Sequence, residues 1–135
     1  MKQYVTDTHP LIWHLASDKR LSSAATSVFV DADNGLVQVL VPGIVLVELV
    51  YLVEKGVVPR FRFDQLLVML DGVNKSYAVT PLSQDIARTM IETVPWSAVP
   101  ELADRIIAAT AVALNLPLLS KDPRHQNSGV VQTIW

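Results

Sequence analysis

Short runs of β-branched residues alternate along the chain with longer segments of helical period, the pattern of a parallel sheet wrapped by helices. The alternation predicts strands at Gln3–Thr6, Val37–Val41, Tyr77–Thr80, Leu118–Ser120 and Val130–Ile134. Helices are predicted over Pro10–Ala16, Ser22–Asp31 and Gly43–Glu54, the second capped by Ser22-Ser23 and the third ending at Lys55-Gly56. Three more are predicted: Phe63–Leu70, stopped by Asp71-Gly72; Ser83–Glu92, capped by Ser83; and Glu101–Leu114, set between Pro100 and Asn115. Every connection is short and no repeat interrupts the series. The expected fold is therefore α/β: one domain over residues 1–135, three layers α/β/α, with a central parallel sheet of about five strands. In such a sheet, ligands bind outside the carboxyl ends of the strands.

The most apolar run, LVQVLVPGIVLVELVYLV from Leu36 to Val53, carries a single charge, Glu48. Its length approaches the ~20 residues of a membrane-spanning helix. The composition sharpens the question, with 50% apolar and 18% charged residues and a mean hydropathy of +0.33. Pro42-Gly43 divides the run, and an acid near the bilayer centre costs roughly 3 kcal/mol. The segment is read instead as a strand buried on both faces, a turn and a helix, and no membrane association is expected. At 135 residues the chain has the size of one compact domain. The absence of cysteine excludes disulfides, thiolate zinc sites and thiol nucleophiles. Eleven basic against thirteen acidic residues give a net charge of −2, so the footprint of a duplex-DNA binder is missing and any nucleic-acid contact must be local. The opening MKQYVTDTHP lacks the apolar core of a signal peptide, so the mature chain is expected to start here and the protein to be cytoplasmic.

Acids stand where strands end. Asp7 follows the first strand and Asp122 the fourth, on the same edge of the sheet. Each also suits a helix cap, Asp7 before Pro10 and Asp122 before Pro123. Glu48 lies one to two turns into the helix after the second strand, beside a buried stripe of Val45, Leu49 and Leu52, where a solvated-face explanation is weak. Asp104 falls in the first turn of a helix expected to face the sheet through Leu102, Ile106, Ala109 and Ala113, and Glu101 shares its face. Carboxylates aimed at one point repel and raise each other's pKa unless cations lie between them. Without histidine or cysteine among them, such a set selects Mg²⁺ or Mn²⁺. The matching chemistry is phosphodiester hydrolysis by a metal-activated water. The histidines support no rival: His9 and His14 lie on different helix faces, and neither HExxH nor GxSxG occurs.

Three segments, VTDTHPLIWHL, IVLVELVYLVEKG and ADRIIAATAVALNLPLLSKD, followed by VVQTIW, resemble in order and spacing the motifs of PIN-domain nucleases, and most closely those of VapC-type toxins. The resemblance covers nearly the whole chain. It implies an acidic quartet of Asp7, Glu48, Asp104 and Asp122, with Asp7 and Asp104 as principal Mg²⁺ or Mn²⁺ ligands and Glu48 and Asp122 completing the site directly or through water. Thr6 and Ser120 would be hydroxyl supports of the cluster. Close relatives commonly carry Asp-Pro three residues before the Asp-Arg dipeptide, where this chain has Glu101-Leu102; Glu101 is thus a fifth acid with a longer arm.

The resemblance further implies a metal-dependent endoribonuclease acting on RNA, the toxin of a type II toxin–antitoxin pair held inactive by a VapB-like antitoxin. It also implies a homodimer or higher homo-oligomer, to which the apolar surplus points as well. Arg105, Lys121 and Arg124, adjoining the acids, are the candidate phosphate contacts, with ordinary surface charge as the alternative for each. Arg60-Phe61-Arg62-Phe63 alternates cations and aromatics as a stacking strip would, although such runs more often bury the rings. The alternative is a non-catalytic PIN-like binding module. A receiver-type signalling domain fits less well, because Thr80-Pro81 stands where its acceptor Asp would follow the third strand.

Overall fold

The computed structural model describes residues 1–73 and 75–135. Its elements run β1 Lys2–Thr6, α1 Thr8–Leu15, α2 Ser23–Asp33, β2 Val37–Pro42, α3 Gly43–Glu54, α4 Arg60–Leu70, β3 Tyr77–Thr80, α5 Gln84–Glu92, α6 Leu102–Leu114, β4 Leu118–Leu119, α7 Pro123–Gln126 and β5 Thr133–Ile134. The five strands form one sheet in the order β3-β2-β1-β4-β5, and every pairing is parallel. Parallel neighbours need crossover connections, and the intervening helices cover both faces in a three-layer α/β/α arrangement.

The expected strands are all present, two of them shorter than the apolar runs suggest. β4 and β5 are two residues each, in the registers Val5↔Leu118, Thr6↔Leu119 and Leu118↔Thr133. α4 opens three residues before Phe63, because Pro59, at φ −63° and ψ 143°, already supplies an extended N-cap. The short α7 lies outside the predicted helices, but it begins where Asp122-Pro123 suggested a cap: it is one turn, capped by Asp122 with Pro123 at its first position.

The apolar run from Leu36 divides as its Pro-Gly predicts. Burial of β2 is nevertheless asymmetric rather than two-faced. Val37, Val39 and Val41 are buried, Gln38 and Leu40 only partly so, and Leu36 lies exposed before the strand. Gln38 uses its half-open face to accept a 2.7 Å hydrogen bond from Gln3 Nε2 on β1. α3 is 12 residues long, and among the described residues no helix is long and apolar enough to cross a membrane.

The main core joins Val5, Val39 and Val41 of the sheet to Leu11, Phe29, Val45, Leu49 and Leu66, all essentially inaccessible. Each such side chain contributes about 1.5–3 kcal/mol of burial. α6 has a different role from the single sheet-facing stripe expected of it. Ile107 and Ala111 join the main core, whereas Ile106, Ala108 and Ala109 join a second cluster with Ile86 of α5 and Val94 and Val99 beyond it. The helix is thus sandwiched between two partners, which explains its alanines. Leu102 and Ala113, off both contact lines, are exposed.

Candidate active site

The strand order reverses between β1 and β4, which are neighbours in space but distant in sequence. A crevice opens outside the carboxyl ends at such a reversal. Asp7 stands at the exit of β1; Ser120 and Asp122 stand at the exit of β4. A cavity of about 620 Å³ lies there, lined by all five acids of interest, Asp7, Glu48, Glu101, Asp104 and Asp122.

Asp7 is the N-cap of α1, and its second carboxylate oxygen faces the exit of β4. Its Oδ1 accepts a 2.8 Å hydrogen bond from Thr8 N, capping α1, while Oδ2 accepts one of 2.7 Å from Ser120 Oγ. Thr6, fully buried, donates its hydroxyl to the Asp7 carbonyl oxygen at 2.8 Å. Ser120 Oγ also accepts the backbone N–H of Asp122 at 3.1 Å, so one hydroxyl ties the two strand exits together.

Glu48 reaches the crevice from α3 and accepts a 2.5 Å hydrogen bond from Thr8 Oγ1. Burial pushes its carboxyl up; the Thr8 bond opposes this, and the charges of Asp7 and Glu101 add to the rise. Glu101 is the N-cap of α6, its two oxygens accepting from Ala103 N at 3.2 Å and Asp104 N at 2.8 Å. Asp104 follows in the first turn, where burial, then the charges of Asp7, Glu101 and Asp122, push it up to about 7. Asp122 goes the other way. Burial opposes its ionisation, but hydrogen bonds from the Arg124 guanidinium and backbone N–H outweigh that and hold it below the usual range.

The three basic residues expected at phosphate divide. Arg124 lies within the cluster, its Nη2 3.1 Å from both Asp104 Oδ2 and Asp122 Oδ2. Lys121 lines the same cavity. Arg105 is turned away, donating from Nε to the Val94 carbonyl at 2.8 Å and from Nη2 to that of Met90 at 2.9 Å, where it stitches α6 to the end of α5 and the chain that follows. The Arg60–Phe63 strip lies in α4 outside the cavity. There Arg62 donates to the Leu15 carbonyl, and its guanidinium lies 4.6 Å from the centre of the exposed Phe61 ring.

Two site residues escaped the sequence. Thr8, which holds Glu48, reads as an ordinary helix-start hydroxyl. His125 is fully buried, with Nε2 3.6 Å from Asp7 Oδ2 and 3.9 Å from Asp104 Oδ1, beyond hydrogen-bonding range. Neither ring nitrogen has a hydrogen-bond partner among the described residues. Its signal in the sequence is faint: a histidine three residues beyond Asp122 faces back into the site only once α7 has formed.

Asp7, Asp104 and His125 each offer one ligand atom, all within 4.8 Å of one another. An orphaned buried imidazole beside two carboxylates, one of them pushed up by burial and then by its neighbours' charges, is a donor set that fits a divalent cation. The imidazole adds a nitrogen to what the sequence presented as an all-oxygen set.

Comparison with known proteins gives the same architecture. The chain superimposes on VapBC2 from Rickettsia felis, solved bound to a promoter DNA fragment, with TM-score 0.70 and 17% identity, covering 98% of this chain and 97% of that one. DNA-bound VapBC from Salmonella typhimurium gives 0.69 at 16% identity, with 99% and 98% covered. FitAcB from Neisseria gonorrhoeae gives 0.62 at 18%, with 98% and 96% covered. At these identities the likeness is one of fold. No curated protein sequence matches the chain. The family model described as the PIN domain matches residues 4–129, nearly the full length and every acid of the crevice, and the chain belongs to the PIN domain family.

Proposed function

We propose that this protein is a metal-dependent endoribonuclease that hydrolyses RNA phosphodiester bonds. The observation that carries the proposal is the cluster of Asp7, Asp104 and the buried, partnerless His125 at the sheet's switch point. PIN domains are generally nucleases, which supports the same chemistry. Asp7 and Asp104, with His125 as a third donor, would hold Mg²⁺ or Mn²⁺, and Glu48, Asp122 and the longer-armed Glu101 line the remaining walls. A bound cation would supply an acidified water and a counter-charge for the phosphate.

The chain's own groups do the positioning. Ser120 and Thr8 N fix both oxygens of Asp7, and Thr8 Oγ1 aims Glu48. Glu48, whose affinity for a proton is raised by burial, can take one from an incoming water. Arg124 is placed to meet substrate phosphate when its carboxylates are otherwise neutralised.

Toxin–antitoxin structures among the fold's neighbours support a role as the toxin of a type II pair, restrained in the cytoplasm by a VapB-like antitoxin. Exposed apolar side chains on α3, Val47, Val50 and Tyr51, support a partner surface, whether for the antitoxin or for a second copy in a homodimer. Purified protein should cleave RNA only with Mg²⁺ or Mn²⁺. Equal cleavage by Asp7→Ala or Asp104→Asn would overturn the assignment.

One observation favours a second reading, a non-catalytic binding module: Arg124 already supplies Asp104 and Asp122 with a cation. Titrating Mn²⁺ separates the two, because a metal site raises the melting temperature by linkage and a module without one leaves it unchanged.

A further inference from the structure

The cavity has a wall that the acids do not account for. Trp13, in the last turn of α1, is 8% exposed, packed against the rings of His9 and Trp135 and flanked by two cations. The Arg20 guanidinium carbon lies 5.0 Å from the ring centre and Lys121 Nζ lies 5.7 Å from it, both within cation–π range. Arg20 is further fixed by Asp18, donating from Nε at 3.1 Å and from Nη2 at 2.7 Å. That pairing leaves Nη1 without a protein acceptor among the described residues. Lys121 has no carboxylate partner among them. All three residues line the same cavity as the carboxylates.

The cavity therefore has two zones of opposite sign. Arg124 is consumed by Asp104 and Asp122. Arg20, paired with Asp18, and Lys121 make no ion pair with the five crevice acids among the described residues and lie over the Trp13 ring. Trp13 is five residues along α1 from Thr8, about 7.5 Å at 1.5 Å per residue. A ligand with its reacting phosphate at the carboxylates would need a second anionic group to use this wall. Trp13 offers little free face to a base, so the recognition is of charge rather than of stacking.

We propose that Arg20 and Lys121, held against Trp13, form a phosphate-binding subsite for single-stranded RNA, taking a backbone phosphate other than the one brought to the carboxylates. The assignment rests on the ribonuclease reading for its choice of ligand. Arg20 presents its remaining guanidinium edge and Lys121 its ammonium, and the pair sets how the strand lies across the crevice. A planar, pre-oriented guanidinium suits phosphate better than a free side chain of equal charge.

The test measures binding without cleavage, using Asp104→Asn protein and a short fluorescein-labelled single-stranded RNA, followed by anisotropy over a salt series. In that background Arg20→Met/Lys121→Met should weaken binding roughly tenfold and lower the log–log salt slope by about 0.7, the value for one phosphate contact on a single strand. Both side chains are exposed, so an unchanged melting temperature should accompany the loss. Arg60→Met/Arg88→Met, which removes two cations outside the cavity, should change neither quantity. Equal loss in that control pair, an unchanged Kd and slope in the Arg20/Lys121 pair, or no RNA binding by the parent would each overturn the subsite. Metal-dependent cleavage by the unmutated protein is scored separately: RNA bound through this wall but never cut would sink the nuclease and leave the subsite standing.

Discussion

Ser120 donates a 2.7 Å hydrogen bond to Asp7 Oδ2 across a sequence separation of 113 residues, both groups buried. The bond fixes the carboxylate's orientation and returns part of the cost of burying it. Ser120→Ala should cost about 1.5–3 kcal/mol, the range for hydrogen bonds to charged groups. Urea denaturation in EDTA measures it, and a loss under half a kilocalorie would show that water replaces the hydroxyl. Cleavage should fall with it, and Ser120→Thr should restore part of both.

Burial, reinforced by the crowding of acids, makes stability depend on pH in a direction opposite to that of most carboxylates. Asp104 is pushed up to about 7 in the folded chain, against about 3.9 unfolded. Between those values the folded state binds the additional proton, so stability falls as pH rises through the window and levels off above it. Glu48 is shifted the same way. Asp122 is shifted oppositely, but its window lies at or below the ordinary carboxylate range. In EDTA the protein should therefore be more stable near pH 5 than near pH 8. Mn²⁺ competes with that proton, so its apparent affinity should rise over the same interval. Thermal denaturation at both pH values, with and without Mn²⁺, checks the two signs.

His125 is buried with both nitrogens unanswered. Replacing a partnerless polar group by an apolar one of similar size is neutral or stabilising. His125→Leu should leave the metal-free protein as stable or about 1 kcal/mol more so, while reducing the stabilisation that Mn²⁺ confers. A variant that is less stable without metal, yet gains as much from Mn²⁺, would make His125 a packing residue alone.

Arg124 holds Asp104 and Asp122 by the same Nη2. Removing it takes away a resident positive charge that a metal must otherwise displace or tolerate. Arg124→Met should therefore bind Mn²⁺ several-fold more tightly by calorimetry, and cleave RNA more slowly for want of its phosphate contact. Looser metal binding in the variant would mean that Arg124 orders the carboxylates rather than competing for them.

The acids were legible because their settings are abnormal: Glu48 has no solvated face, and Asp7 and Asp122 stand at strand ends. Period and capping likewise revealed the sheet and its helices. What escaped depends on tertiary placement. β4 and β5 were expected as strands, but their two-residue length follows from tertiary pairing, β4 with β1 and β5 with β4, rather than from the apolar runs. The direction of Arg105 is set by the carbonyls of Met90 in the last turn of α5 and Val94 just beyond it, which no motif announces. His125 is buried only because a single turn closes over it, and Leu102 is exposed because α6 has two partners where periodicity suggests one.

The placement of β1 beside β4 also fixes when the crevice can exist. During synthesis β1 emerges first, and β2 and β3 can extend the sheet on one side while Asp7 still faces an empty edge. Asp104, Ser120 and His125 leave the ribosome only after β3 and α5. A nascent or truncated polypeptide lacking that last stretch has strands and a core but no assembled acid cluster. A chain proposed to degrade RNA thus passes through the vicinity of the ribosome with its centre still in pieces.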